Sequence, residues 1–226
     1  MVEIFEKYQI KLDESAEKKL ERFYELLCEY NEKFNLTAIT EKEEVYVKHY
    51  LDSLLGGKYL EGNTVIDIGA GGGFPSIPLK IVYPEKKFTL LDATEKKCSF
   101  LSKVCSELVL DGVKVISGRA EEYGKNKLYR EKFDVCVSRA VARLNILCEY
   151  CLPFVKIDGV FIAYKGDAEE EIKEAENAIK ELGGKIESIE VLDLEGAKRT
   201  FVVIRKISET PTKYPRANGR IRKKPL

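Results

Sequence analysis

Between residues 64 and 206 the chain alternates short apolar runs with helix-length amphipathic stretches. The runs are TVIDI (64–68), FTLLD (88–92), VKVIS (113–117), FDVCVS (133–138) and GVFIAYK (159–165). Their hydrophobicity is continuous, as expected of strands covered on both faces, so they predict a parallel sheet with helices between the strands. Ahead of them, Ala16, Leu20, Phe23, Leu27, Tyr30 and Phe34 recur every three or four positions. That spacing predicts a helix, with Asp13 as its N-cap and Glu14 and Glu17 in its first turn. A second helix carries Val45, Leu51, Leu54 and Leu55 and stops at Gly56-Gly57.

The end of the pattern separates two kinds of doubly wound sheet. KIESIEVLDL (185–194) and RTFVVIRK (199–206) are joined by only Glu195-Gly196-Ala197-Lys198, too short for a crossover helix, so they must pair antiparallel. An antiparallel last strand on an otherwise parallel sheet marks the methyltransferase variant, whereas a dinucleotide-binding domain continues parallel. The predicted fold class is therefore α/β, a doubly wound class I S-adenosylmethionine methyltransferase fold with a mostly parallel sheet. Its expected parts are an N-terminal helical cap (1–60), a Rossmann-like domain (61–206) and an irregular basic tail (207–226). With 226 residues the chain can bury a core without disulfide staples.

Composition changes the picture in three places. No apolar run approaches the roughly 20 residues of a bilayer span, and the charged start is no signal peptide, so a cytoplasmic protein without a membrane partner is expected. The six cysteines, including the Cys148-x-x-Cys151 pair, sit in apolar segments, and the single histidine, His49, lies far upstream. Core packing is expected of them, with no metal. The 38 basic and 38 acidic residues are unevenly spread, for from residue 198 onward ten basic residues face one acid, Glu209. Clustered cations gain affinity for nucleic acid by releasing its counterions, which makes Arg199, Arg216, Arg220, Arg222, Lys223 and Lys224 candidate RNA-binding residues.

The strongest local signal is Val65-Ile-Asp-Ile-Gly-Ala-Gly-Gly-Gly-Phe74, a strand running into glycines. Residues without side chains let backbone approach a ligand at the edge where open α/β sheets bind them. A dinucleotide loop would need glycine where Phe74 stands, and Asp67 would repel a pyrophosphate. S-adenosylmethionine has no phosphate and carries a sulfonium and an ammonium, so Asp67, Gly69, Gly71 and Gly73 are expected to hold that cofactor. Loss of Asp67 should then cost cofactor binding more than stability. Asp92, closing the second strand, suits both ribose hydroxyls or a turn cap, and Ala120 and Glu121 after the third strand suit an adenine edge.

The acceptor site should lie after the fourth strand, at Val137-Ser-Arg-Ala-Val-Ala142. Neither an Asn/Asp-Pro-Pro-aromatic motif for an exocyclic amine nor a Pro-Cys nucleophile is there. Arg139 instead supplies a permanent cation and Lys165 a second, and both are candidate catalytic residues; either could equally pair with a neighbouring acid. Guanine N7 needs no proton removed, so its methylation asks chiefly for orientation. His49 is expected to be a packing or surface residue.

Several segments together resemble a known family. They are Tyr30-Asn-Glu-Lys-Phe-Asn-Leu-Thr-Ala-Ile-Thr40, His49-Tyr-Leu-Asp-Ser53, Asp67 to Pro78, Leu91-Asp-Ala-Thr-Glu-Lys-Lys97, Gly118 to Glu122, Ser138 to Ala142, and Tyr214-Pro-Arg216 with Lys224-Pro-Leu226. They resemble the bacterial 16S ribosomal RNA guanine-N7 methyltransferases of the RsmG family, also called glucose-inhibited division protein B. The resemblance covers nearly the whole chain and implies methylation of a guanine N7 of small-subunit RNA near the decoding site, with 16S rRNA or the small subunit as partner and a monomeric enzyme. It places cofactor contacts on Gly69, Phe74, Ala120, Glu121 and Arg139, and leaves open whether Arg139 orients cofactor, base or both. Departures are Tyr30 where tryptophan is frequent, Ala93 where serine is common, and Gly219-Arg-Ile-Arg222 where proline is. Two other readings remain: a small-molecule methyltransferase, against which the basic tail argues, and a non-catalytic RNA-binding module, against which the intact glycine loop argues.

Overall fold

The computed structural model describes residues 3–139 and 141–226; Ala140, inside the Ser138–Ala142 run, lies outside them. The helical segment opens with α1 (Glu3–Lys7) and α2 (Glu14–Phe34). Asp13 caps α2 by accepting the Ala16 amide at 2.7 Å, and Asn35, in the left-handed region at φ 49°, ends it. The second predicted helix is less regular. It runs as α3 (Lys42–Val45), a wide π turn (Tyr46–Leu51), α4 (Asp52–Leu55) and a tight turn (Gly56–Tyr59). The π turn rotates His49 out of plain helical register, a device that recurs at functional sites.

The sheet has seven strands in the order β3-β2-β1-β4-β5-β7-β6. They are β1 (Thr64–Ile68), β2 (Lys87–Asp92), β3 (Val113–Ser117), β4 (Phe133–Arg139), β5 (Val155–Lys165), β6 (Gly184–Leu194) and β7 (Ala197–Lys206). β1 to β5 are parallel, and β7 runs antiparallel to both β5 and β6. The hairpin of the last two strands is thus as expected, and β7, wholly apolar at its centre, is inserted inside the sheet while alternating β6 takes the edge. Helices α5 (Ser76–Val82), α6 (Glu95–Glu107), α7 (Ala120–Tyr123), α8 (Leu144–Cys151) and α9 (Glu169–Glu181) connect the strands. Among the described residues no helix is long and apolar enough to cross a membrane. Cys148 and Cys151 are buried in α8.

Aromatic stacking joins the helical segment to the sheet. Phe23 of α2 lies 5.3 Å from Phe74 of the glycine loop and 5.7 Å from Tyr50, ring centre to ring centre, and all three are buried. Tyr164 of β5 donates its hydroxyl to the Ser53 carbonyl at 3.0 Å, passing so close to Gly56 that any side chain there would strike the ring. These contacts make one core of the α2 side chains and one sheet face.

The last residues, expected to be irregular, are packed against the domain and end in a short helix. Arg130 donates to the carbonyls of Gly124, Thr210 and Tyr214 at 3.0, 2.5 and 2.8 Å, tying the segment down before a final helix, α10 (Asn218–Lys223), whose Ile221 is wholly buried. Arg216 grips Glu149 of α8 through Nε (2.9 Å) and Nη2 (2.6 Å). Since Glu149 is almost completely buried, truncating Arg216 strands a charge in the core. Arg216→Ala should lose about 3 kcal/mol in urea denaturation, and Arg216→Lys, which lacks the two-pronged geometry, should recover only part of it.

Candidate active site at the carboxyl edge of the sheet

A cleft runs along the carboxyl ends of β1 to β4. At its centre Gly71 donates its amide to Asp92 Oδ2 at 2.9 Å while Asp92 Oδ1 accepts the Thr94 amide at 2.8 Å. One carboxylate therefore fixes the glycine loop and the turn into α6 at once. Gly69 and Ala70 add amide bonds to the Leu91 carbonyl at 2.8 and 3.2 Å. Gly71 has φ +55°, and a side chain there would point into open space with only the Gly69 carbonyl, 3.6 Å away, beside it. This is backbone a ligand can approach directly. On one side an open cavity of about 550 Å³ is bounded by Ile68, Leu91, Asp92, Ala120, Glu121 and Tyr150. An apolar slot with a carboxylate at one end and backbone at the other suits a nucleoside whose ribose meets Asp92 and whose purine meets Ala120 and Glu121. The donor set fits S-adenosylmethionine, with Gly69 and Gly71 beneath its amino-acid part.

Two expected cofactor contacts lie elsewhere. Gly73 is a packing glycine, since a side chain there would collide with Ile77 at 2.7 Å and press Phe23 at 3.2 Å. Asp67 is wholly buried below the loop and is absent from the cleft lining; both its oxygens, like Ser76 Oγ, lack a hydrogen-bond partner. Burial pushes its carboxyl up to about 7, with Asp92 adding to the rise and Ser76 and Arg139 opposing it. Buried beneath the loop and outside the cleft lining, Asp67 is not placed to touch a ligand in the cleft directly. The chain pattern hid this, because β1 is covered on both faces and Asp67 points into a layer rather than out of the edge.

The other end of the cleft is built around a ring and a cation. Phe74 stacks on His49 at 4.4 Å, and the Arg139 guanidinium lies 5.0 Å from the Phe74 ring centre. Arg139 donates to Asp52 Oδ2 (2.7 Å) and the Lys48 carbonyl (3.2 Å), and its second nitrogen is 3.2 Å from His49 Nδ1. His49 Nδ1 also lies 3.1 Å from the Lys48 carbonyl, and Nε2 is 2.8 Å from Thr37 Oγ1, so both ring nitrogens are taken up by protein neighbours. Burial, then the Arg139 charge, pushes His49 down to about 4, leaving it neutral. Asp52, itself buried, also accepts Arg199 Nε at 2.9 Å. His49 and Arg139 wall both the cleft and a second cavity of about 840 Å³ that holds Lys165, Glu171 and Arg199. Lys165 reaches it from β5, held by Glu171 (2.6 Å) and the Ala142 carbonyl (2.7 Å).

The basic tail is largely neutralised from within. Lys198 pairs with Asp167, Arg199 with Asp52, Arg205 with Glu61 and Glu187, Lys206 with Glu131, Lys213 with Glu181 and Arg216 with Glu149. Arg199 and Arg216, expected on an RNA surface, are thereby committed to internal acids. Among the described residues Arg220, Arg222, Lys223 and Lys224 have no carboxylate partner, and Arg222 turns into the cleft. Sequence reasoning missed Thr37, Asp52, Tyr150 and Asn218 as site residues and set His49 aside. The signal was the three-residue step from His49 to Asp52, which on a helix puts both on one face.

The family model for rRNA small subunit methyltransferase G (GidB) matches residues 16–202. The chain is similar to ribosomal RNA small subunit methyltransferase G of Thermoanaerobacter sp. strain X514, 51% identical over 91% of this chain and 88% of the relative. It is likewise similar to the protein of that name from Lactobacillus helveticus, 46% identical over 97% and 95%. Among solved structures it resembles M. jannaschii TYW2 in complex with AdoMet, with a TM-score of 0.54 and 16% identity, covering 70% of this chain and 76% of that one. The last likeness is one of fold.

The position of Asp67 has a measurable consequence. Its native carboxyl keeps its proton up to about 7, whereas the unfolded one releases it near 3.8. The folded state then binds more protons between these values, so this contribution to stability is full at low pH, erodes as pH rises through the window and is constant above it. Asp67→Asn should therefore gain stability over the parent at pH 8 and gain much less at pH 4.5 in urea denaturation. Equal differences at the two pH values would contradict the assignment.

Proposed function

Because the chain belongs to the rRNA small subunit methyltransferase G family, we propose that it methylates guanine N7 of 16S rRNA near the decoding site through the residues described above. The observation that carries this reading is the meeting of the nucleoside-shaped cleft with a cation-lined cavity at His49 and Arg139. S-adenosylmethionine, when bound, supplies an electrophilic methyl group. Asp92, Ala120 and Glu121 would hold its nucleoside and the Gly69–Gly71 backbone its amino-acid part.

Among the described residues no group lining the acceptor cavity is free to remove a proton, and none is required. Asp52 is shared by two arginines, Glu171 is paired with Lys165, and the neutral His49 ring has both nitrogens taken up by Thr37, Lys48 and Arg139. Guanine N7 presents a lone pair without a proton, so the protein's task is to hold the base in line, worth up to roughly 7–11 kcal/mol of barrier. Arg139 and Lys165 are the groups that would touch the base or its phosphate, and Asp52 is a positioning residue acting through Arg139. Arg220, Lys223 and Lys224 would meet RNA phosphates outside the cleft. A small-molecule acceptor would leave that exposed cluster without a use.

Labelled S-adenosylmethionine and small subunits lacking the modification should yield label at one guanine, mapped by cleavage at N7-methylguanine. Label on another base would reject the assigned acceptor, and no label on either subunits or their RNA would reject the reaction. Asp52→Asn should lower kcat by about 10²-fold through misplacement of Arg139, while affinity for S-adenosylhomocysteine in calorimetry changes less than about twofold. A matching loss of cofactor affinity would move Asp52 from the acceptor side to the cofactor side.

A further inference from the structure

We propose that Arg222 is a cofactor-site residue and that α10 forms the outer wall at the purine end of the cleft. The inference rests on the S-adenosylmethionine reading of that cleft and extends it to a segment whose composition pointed to RNA alone. Arg222 lines the chamber beside Gly118–Glu121 and also the stretch along Gly69–Gly72, so it spans the nucleoside portion of the site. Arg220 and Lys223 on the same short helix, and Lys224 just after it, line neither. Asn218, one turn before Arg222, lines the purine chamber too, and its Oδ1 accepts the Tyr150 hydroxyl at 2.5 Å.

The helix that presents these side chains is fixed in place. Ile221 is wholly buried between Asn218 and Arg222, and two residues before Asn218 the chain is anchored by the Arg216 pair with Glu149. Arg222 itself is exposed at the mouth, with no carboxylate partner among the described residues. A guanidinium is planar and weakly hydrated and packs against aromatic faces, and the purine is the one extended π surface the ligand offers. Glu121, Tyr150 and Asn218 supply polar edges around that ring, while Ile68 and Leu91 supply the apolar floor. What is missing from such a slot is a cover, and Arg222 stands where one is needed. Its charge alone does not explain the placement, because a phosphate contact would face outward with Arg220 and Lys223.

The test is calorimetry with two ligands, S-adenosylhomocysteine and 5′-methylthioadenosine, the second of which keeps the nucleoside and lacks the amino acid. Arg222→Ala should weaken both by about the same factor, on the order of tenfold, and Arg222→Lys should recover little of it. Lys213→Ala, in the same tail but away from the cleft, should bind both as the parent does. An unchanged melting temperature of the ligand-free Arg222→Ala protein shows that the fold is intact. Parent-like affinity of Arg222→Ala for both ligands, or a loss confined to RNA affinity, overturns the inference and leaves the cofactor reading standing. A loss for S-adenosylhomocysteine but not for 5′-methylthioadenosine overturns the assignment to the purine end. A parent protein that binds neither ligand overturns the cofactor reading itself and this inference with it.

Discussion

The site depends on one buried carboxylate shared by two arginines. Asp52 comes from the helical segment, Arg139 from the end of β4 and Arg199 from β7, so a single group ties three elements distant in sequence at the point where cofactor cleft and acceptor cavity meet. Burying such a cluster costs desolvation, and a hydrophobic replacement of equal shape would often be no less stable. Its benefit is therefore positional. With Oδ2 taken by Arg139 and Oδ1 by Arg199, neither guanidinium is free to turn, and Arg139 is left lying by Phe74 and His49. The helical segment is in this sense part of the proposed active site: it supplies Thr37, His49 and Asp52 as well as the aromatic core that fixes Phe74.

The tail shows how far charge along a chain can differ from charge on a surface. Ten basic residues in the last stretch suggest a broad phosphate-binding strip, yet six of them meet acids contributed by the rest of the chain. The acidic excess elsewhere and the basic excess here are two halves of one internal pairing. What remains outside is a small cluster on and after α10. Its exposure follows from the helix geometry, in which Ile221 points to the core and its neighbours point away.

The fold was legible because its signals are local or depend on chain length alone. Continuous apolar runs announced buried parallel strands, and four residues between 194 and 199 forced the antiparallel pair. The insertion of β7 inside the sheet is written in the contrast between apolar RTFVVIRK and alternating KIESIEVLDL rather than in chain length. At the candidate site, Asp92, Gly69, Gly71, Phe74, Ala120 and Glu121 all line the cleft, because strand ends dictate where they sit. Asp67 and Gly73 stand in the same motif and face the interior, since a loop that reverses direction shows only some of its residues to a ligand. Partnerships such as Asp52 with Arg199, 147 positions apart, leave no trace in spacing.

The charge arrangement at the acceptor end follows from the chemistry it has to accompany. Transfer of a methyl group to N7 leaves the base with a positive charge, so a cluster of uncompensated cations there would oppose the reaction in a site of low dielectric. The structure compensates them in part, setting two carboxylates against three cations. Asp52 offsets charge on Arg139 and Arg199, Glu171 offsets Lys165, and His49, pushed down to about 4, adds none. The Phe74 ring lies against both His49 and Arg139, and the negative face of such a ring offsets part of a neighbouring positive charge. Cations able to orient a phosphate or a carbonyl oxygen are thus retained without a large positive field at the reacting nitrogen. The acids that look like candidate bases in such a pocket act instead to make the pocket tolerable to its own product.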